Sequence, residues 1–595
     1  MISDERNPVI FFDNFSFKYF AQSKPTLRNI SLRIFEGEKI LIVGPSGSGK
    51  STIGHCLNGL VPFSYQGEIE GSLTINGNVC SKSSIFELSK SIGTVMQDTD
   101  AQFVGLSVAE DIAFALENDC IAQAEMISQV GFVSKVVGVN ALLRQSPQEL
   151  SGGQKQRTSI AGILVDDVDI LLFDEPLANL DPETGKYAIE LIDRIHKENN
   201  VVDATKSVTS RHRDNKKKQK TTIIIEHRIE DVLHREVDRI ILIDNGSIVA
   251  DLNAHDMISS QYLLEHGLRE PLYITALKYA GVDVNSKLLP GYISTMNFAG
   301  VKTQFLNWYE KTHTKKHTET GEEILTIRNL NFEYYKDKPV LTNINISIRA
   351  GEMISIVGTN GAGKSTIAKL ICRFEKHPPE TIFLNGKDAV NQDIAKRASF
   401  VGYVMQNPNQ MITQTLIYDE ISSGLRYRKL PKTEIDERVD TVLDICGLTR
   451  FKTWPISALS YGQKKRVTIA SILALNPQIL ILDEPTAGQD YHHYTDIMQF
   501  LDKLNKLGVT VLMITHDMHL MLEYTHRSIV VCEGRIIIDT DSSEVLTNPD
   551  IISKASLKET SLFHMAKELE IEDPKSLVDK FIDFESRGES ETIQL

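Results

Sequence analysis

The chain carries one nine-residue pattern twice, GPSGSGKST at residues 44–52 and GTNGAGKST at residues 358–366. Each copy follows a short apolar run, KILIV or MISIV, and opens a stretch with helical spacing. In that setting G-x-x-x-x-G-K-[ST] is a phosphate-binding loop between a buried strand and a helix. Two such loops call for two sheets, so the chain is a duplication whose halves each fold around one buried strand.

The pattern also assigns roles. In the first copy Gly44, Pro45, Ser46, Gly47, Ser48 and Gly49 form the loop whose backbone N–H groups close around phosphate. Lys50 would reach the β- and γ-phosphates, Ser51 would offer its hydroxyl to Mg2+, and Thr52 completes the set. In the second copy the loop is Gly358, Thr359, Asn360, Gly361, Ala362 and Gly363, followed by Lys364, Ser365 and Thr366 in the same roles.

The spacing between copies maps the domains. It is 314 residues between Lys50 and Lys364, 309 between Gln97 and Gln406 and between Asp174 and Asp483, and 289 between His227 and His516. A drop of 20 places an insertion in the first half, visible as the polar, basic run at residues 201–220; it reads as a solvated loop or as a contact for lipid headgroups or nucleic acid. The 289 spacing persists into GLREPLYITALKYAG and SLKETSLFHMAKELE, so each half ends in a helical extension. The expected organisation is a first domain over 1–285, a flexible linker over 286–323 ending in EKTHTKKHTETGEE, and a second domain over 324–595. Apolar runs of four to six residues alternate with helical patterns in both halves, which predicts an α/β fold with a mostly parallel sheet covered on both faces.

Two further segments carry chemistry. ILLFDEP and ILILDEP each end a buried strand with adjacent carboxylates, Asp174 and Glu175 in the first half, Asp483 and Glu484 in the second. The first of each pair suits the Mg2+ shell, and the second suits an attacking water, because phosphoryl transfer needs positioning and one base or water-orienting group.

With these in place, LSGGQKQR (Leu150 to Arg157) and LSYGQKKR (Leu459 to Arg466) resemble the signature motif of ATP-binding cassette (ABC) proteins. The resemblance covers both halves. It implies two P-loop NTPase domains of ABC type, each a RecA-like sheet with an antiparallel β subdomain and a helical signature subdomain. It also implies roles: Gln97 and Gln406 as Q-loop residues that join the Mg2+ shell, His227 and His516 as switch histidines, and D-loops ending at Asp181 and Asp490. Tyr19 and Tyr334 fall where the family stacks adenine, although an aromatic at such a strand position also suits core packing. In the family two domains meet head to tail, so ATP at Lys50 would face Ser460, Tyr461, Gly462 and Gln463, and ATP at Lys364 would face Ser151, Gly152, Gly153 and Gln154. Tyr461 departs from the family, which has glycine there; loss of glycine puts close backbone approach in doubt and predicts two unequal ATP sites. Between Q-loop and signature, Glu110, Asp111, Asp419 and Glu420 lie where the family receives its membrane partner, and they read either as docking acids or as solvated surface.

Composition narrows the setting. No run approaches the ~20 apolar residues of a membrane span, the six cysteines are scattered without paired spacing, and the net charge of −15 disfavours a dedicated nucleic-acid surface. Together with the resemblance, this makes the cytoplasmic face of the cell membrane the expected place.

The finer resemblance, in QDTDAQFVGLSVAEDIAFALEN and GLREPLYITALKYAG, is to the duplicated ATPase of energy-coupling factor importers for vitamins and metals, and among these to fused ATPases linked to thiamine or its pyrimidine precursor. That resemblance implies a transmembrane coupling subunit and a small substrate-binding membrane subunit as partners. Two alternatives are a ribosome-associated tandem ABC protein, which would carry a longer charged helical linker, and a fused sugar-importer ATPase, whose second half typically has degraded motifs.

Overall fold

The computed structural model describes residues 7–178, 180–197, 219–314, 321–486, 489 and 491–592, with backbone alone for the last seven. The chain divides into two compact units, Met1–Phe305 and Leu306–Leu595. Each unit holds a six-stranded sheet and a four-stranded antiparallel sheet.

In the first unit the six strands run in the order Ser247–Leu252, Arg239–Asp244, Lys39–Val43, Thr221–Ile225, Ile170–Asp174 and Ile92–Val95. In the second the equivalent order is Arg535–Asp541, Arg527–Cys532, Met353–Gly358, Thr510–Ile514, Ile479–Asp483 and Val401–Val404. Every neighbouring pair is parallel except the hairpin at one edge. The strand bearing each phosphate loop is interior, and in the first unit all five of its residues are buried, which is why it reads as a continuous apolar run without alternation. The one charge in it, Lys39, is paired with buried Asp193 at 2.7 Å.

The antiparallel sheets show the opposite pattern. Along Ile10–Tyr19 the buried residues Ile10 and Phe12, then Phe15 and Phe17, mark one face, and the alternation slips between the two pairs. A register shift lies there, with Asn14 at φ 45°, so the strand carries a bulge that restores the apolar face to the core. A helical arm completes each unit: Val108–Asn118, Gln123–Val136 and Gly152–Leu164 in the first, Ile417–Tyr427, Lys432–Ile445 and Tyr461–Leu473 in the second. Val108, Ile112 and Leu116, and their counterparts Ile417, Ile421 and Leu425, bury one stripe at four-residue spacing.

One expectation changes. The segment 286–311 is not a tether: Tyr292 is buried, its hydroxyl accepting from Val237 N (3.0 Å) and donating to Val237 O (2.9 Å), and Phe298, Val301 and Phe305 are buried beyond it. Isolated aromatic anchors separated by polar residues defeat a composition argument, which averages over them. The division between units falls inside the helix Lys302–Lys311; past it Trp308 meets Phe584 edge-on at 5.6 Å, on a C-terminal helix Pro574–Thr592. The expected extension helices occur at Leu272–Tyr279 and Ser561–Glu568. Of the basic insert 201–220, residues 201–218 lie outside the described residues; Lys220 donates to Val168 O at 2.6 Å.

Candidate functional site

Each phosphate loop leaves the carboxyl end of its interior strand and turns into a helix starting at Lys50 or Lys364. The turn needs glycine for two separate reasons. A Cβ on Gly44 would lie 2.1 Å from Ile243 O, and one on Gly358 would lie 1.9 Å from Val531 O, so the backbone passes too close to the next strand for any side chain. Gly49 and Gly363 hold φ of 106° and 101°, left-handed positions that an L side chain resists. Lys50 Nζ donates to Gly44 O (2.7 Å) and Pro45 O (2.9 Å), and Lys364 Nζ to Gly358 O (2.8 Å) and Thr359 O (2.9 Å). Both ammonium groups therefore sit over the loop.

The carboxylates stand on the next strands. Ser365 Oγ and Tyr403 OH both donate to Asp483 Oδ2, at 3.1 and 2.7 Å. In the first unit Asp174 Oδ1 is buried with no hydrogen-bond partner among the described residues, and burial, with Lys50 opposing and Glu226 adding, pushes its carboxyl up to about 6. A buried carboxylate oxygen with no donor and a serine at the start of the neighbouring helix are the donor set of a hard divalent cation, so the residues fit Mg2+. Glu175 and Glu484 adopt φ of 47° and 44° at their strand ends, unusual for glutamate. Burial raises the Glu175 carboxyl as well, with His227 opposing and Glu226 and Asp174 adding.

The two units hold their glutamates differently. Gln97 Nε2 donates to Glu175 Oε2, while His227 Nδ1 lies 4.0 Å from Glu175 and 3.2 Å from Glu226. In the second unit His516 Nδ1 lies 2.8 Å from Glu484 Oε1. Tyr19 OH meets Thr52 Oγ1 at 3.1 Å and Tyr334 OH meets Thr366 Oγ1 at 3.4 Å, placing both rings beside the loop helices.

Each signature caps its own helix. Ser151 and Gln154, and Ser460 and Gln463, form reciprocal capping boxes, so the helix N-terminus is built by the motif itself. Gly152 and Tyr461 are the first helical residues, and Tyr461 is not in the left-handed region, so the torsional objection to tyrosine there does not hold. Its ring does have a consequence: Tyr461 OH donates to Gln406 O at 3.2 Å, and Lys465 Nζ donates to Met405 O and Gln406 O at 2.8 Å each. Lys465 is buried without a carboxylate bond among the described residues, and desolvation pulls its pKa down to about 8 against the field of Asp483 and Glu484. At the first unit's equivalent position Gln156 donates to Pro176 O. On Gly153 a Cβ would meet Thr184 Cγ2 at 2.3 Å, whereas on Gly462 the nearest atom is His493 Cδ2 at 3.3 Å. Asp181 Oδ1 accepts from Thr184 N at 2.9 Å; Asp490 lies outside the described residues.

The four acids between Q-loop and signature are engaged within their own units. Glu110 completes a capping box with Ser107, Asp111 Oδ1 accepts from Val104 N (2.9 Å) and Gly105 N (3.0 Å), and Asp419 pairs with Arg426 at 2.7 Å. Glu420, buried, accepts from Thr413 N and Gln414 N at 2.8 Å each. The repeated Asp111 and Glu420 thus anchor loops within their own units. Residues that sequence reasoning missed are Tyr403, Glu226 and Lys465; the signal was available, because each differs from its repeat counterpart, Thr94, Thr515 and Gln156.

Comparison with known proteins gives this geometry a family. Residues 27–178 and 341–487 match the family described as ABC transporter, and residues 260–332 match one described as ATP-binding cassette cobalt transporter. A relative from Clostridium perfringens (strain 13 / Type A), carrying the name of an ABC transporter ATP-binding protein, is 53% identical over 581 residues, 98% of this chain and 99% of its own. One of the same designation from Enterococcus faecalis (strain ATCC 700802 / V583) is 51% identical over 581 residues, again 98% of this chain and 99% of its own. The solved structure of cbiO1 from Clostridium perfringens, described as part of the ABC transporter complex cbiONQ, is 35% identical, covers 41% of this chain and 99% of that one, and has a TM-score of 0.37. No helix among the described residues is long and apolar enough to cross a membrane. Two matched domains and relatives similar along their whole length make this chain a member of the ABC transporter ATP-binding proteins, an ATPase with two such domains in tandem.

Proposed function

We propose that the chain is the energy-coupling ATPase of an importer of the energy-coupling-factor type, taking up a vitamin or metal ion, and that its partners are a transmembrane coupling subunit and a small substrate-binding membrane subunit. The observation that carries this reading is the match of residues 260–332 to a family described as ATP-binding cassette cobalt transporter. Intact loop, carboxylate pair and histidine in both units support it, since both sites then turn over. In this reading the loops from Gly44 and Gly358 hold the phosphates, and Ser51 with Asp174 and Ser365 with Asp483 would hold Mg2+, with Gln97 and Gln406 contributing to that shell. Held there, Mg2+ would supply neutralisation of phosphate charge during transfer. Glu175 and Glu484 orient water toward the γ-phosphate, and His227 and His516 contact it. The two domains pair head to tail within one chain, so that each signature covers the other domain's ATP; a single polypeptide raises their effective concentration.

The test is purification of the tagged chain from detergent-solubilised membranes of its own host, followed by uptake of labelled Co2+ and thiamine in vesicles holding the recovered complex. Multi-span proteins of two sizes should co-purify, and ATP should drive uptake of one label. A chain that recovers no membrane protein refutes the reading; recovery with ribosomes instead would select the translation-associated alternative.

A further inference from the structure

The loops carrying the two switch histidines differ by relocation of one acid. In the second unit the order is Thr515, His516, Asp517; Asp517 Oδ2 accepts from Thr486 Oγ1 at 3.2 Å, and Asp517 Oδ1 accepts from His519 N at 2.9 Å. In the first unit the order is Glu226, His227, Arg228, and the acid precedes the histidine. Glu226 is fully buried and accepts from Leu177 N (3.2 Å), His227 N (2.9 Å) and Arg228 N (3.3 Å), so its carboxylate has one fixed place. From that place it stands 3.2 Å from His227 Nδ1, closer than Glu175 at 4.0 Å, near enough to accept from the ring although the two are not aligned as a hydrogen bond here. Thr515 offers no such acceptor, and His516 stands on Glu484 at 2.8 Å.

We propose that Glu226 is a positioning residue for hydrolysis at the first unit's ATP: as the His227 ring turns to the nucleotide, Glu226 accepts from Nδ1, leaving Nε2 as the ring nitrogen that meets the nucleotide, and so releases Glu175 from the histidine-holding duty that Glu484 performs in the second unit. The inference rests on the proposed roles of Glu175 and His227. A buried acceptor that orients a histidine through its far nitrogen governs the ring's direction without touching substrate, and removal of such partners commonly costs 10- to 100-fold in activity. The consequence is two sites with different wiring. At one the carboxylate is hydrogen-bonded to Gln97 and the histidine lies nearest Glu226; at the other the carboxylate and histidine are hydrogen-bonded to each other.

The experiment uses the full chain with Glu484→Gln, which confines turnover to Glu175, and reads kcat together with the Kd of a fluorescent ATP analogue. Glu226→Thr, which installs the second unit's residue, should lower kcat about 10-fold or more while leaving Kd within about twofold. Glu226→Gln keeps an oxygen acceptor and the volume, and should retain most of the rate. Three results overturn the proposal: Glu226→Thr with kcat within twofold of its parent, Glu226→Gln as impaired as Glu226→Thr, or kcat and Kd failing in parallel with a lowered Tm, which marks a loop anchor only. Adding Glu175→Gln to the same background should abolish turnover; if it does not, the assigned roles fail and this inference fails with them.

Discussion

Asp174→Asn should make the nucleotide-free protein more stable while destroying its use of Mg2+. Asp174 is held at the end of a buried strand with Oδ1 lacking a donor among the described residues, and its pKa rises from an ordinary 3.8 to about 6. A carboxyl whose folded pKa is raised binds more protons in the native state, so stability is lost as pH climbs from about 4 through 6. At 1.36 kcal/mol per unit the ionised group costs about 3 kcal/mol at pH 7 and roughly half of that at pH 5. Asparagine removes this charge at all pH values, and any cost from its own unmet amide hydrogen bonds is independent of pH. The quantity to read is therefore the difference: by differential scanning calorimetry in EDTA, the stability gained by Asp174→Asn should be about 1 to 2 kcal/mol larger at pH 7 than at pH 5. A gain that is equal at both pH values, or larger at pH 5, would refute the reasoning, because the strain would then not lie in the ionised carboxylate. Mg2+-dependent hydrolysis at that site should be lost in the same variant.

Three other outcomes are expected. The double variant Glu175→Gln, Glu484→Gln should bind ATP with near-native affinity and hydrolyse it at least ~100-fold more slowly; turnover near wild type would sink the roles given to both glutamates. Lys50→Ala and Lys364→Ala should leave unequal residual ATPase rates, and Tyr461→Gly, which cuts the ring's bond to the Gln406 carbonyl, should change their ratio; an unchanged ratio would clear Tyr461 of the asymmetry. Lys465→Gln should raise Tm at pH 7, because a lysine depressed to about 8 opposes folding while it is charged; wild type regains stability as pH rises from 8 toward 10.5, so the gap should narrow by about 2 kcal/mol by pH 9.5, and a constant gap would show that the buried charge is not its source.

The amino-acid sequence determined what is local or repeated. Strand–loop–helix order, the glycine positions of the phosphate loops and the carboxylate pairs at strand ends all follow from patterns spanning a dozen residues, and duplication checks each against its copy. The run KILIV, short and ending in the phosphate loop, reads as an interior strand, and all five of its residues are buried. The tertiary structure decided what depends on distance in space. Tyr292 and Phe305 look like isolated aromatics in a polar linker until Val237, some 55 residues earlier, supplies the backbone partner that buries the tyrosine hydroxyl. Asp111 and Glu420 read as surface acids because their acceptors' use lies in loop backbone N–H groups whose direction no residue letter records. Glu226 shows the division most plainly. The sequence displays the exchange of Glu226 for Thr515, but which carboxylate stands nearer His227 depends on a difference of under 1 Å between two candidate partners, and only the packing of two neighbouring strand ends against each other sets that distance.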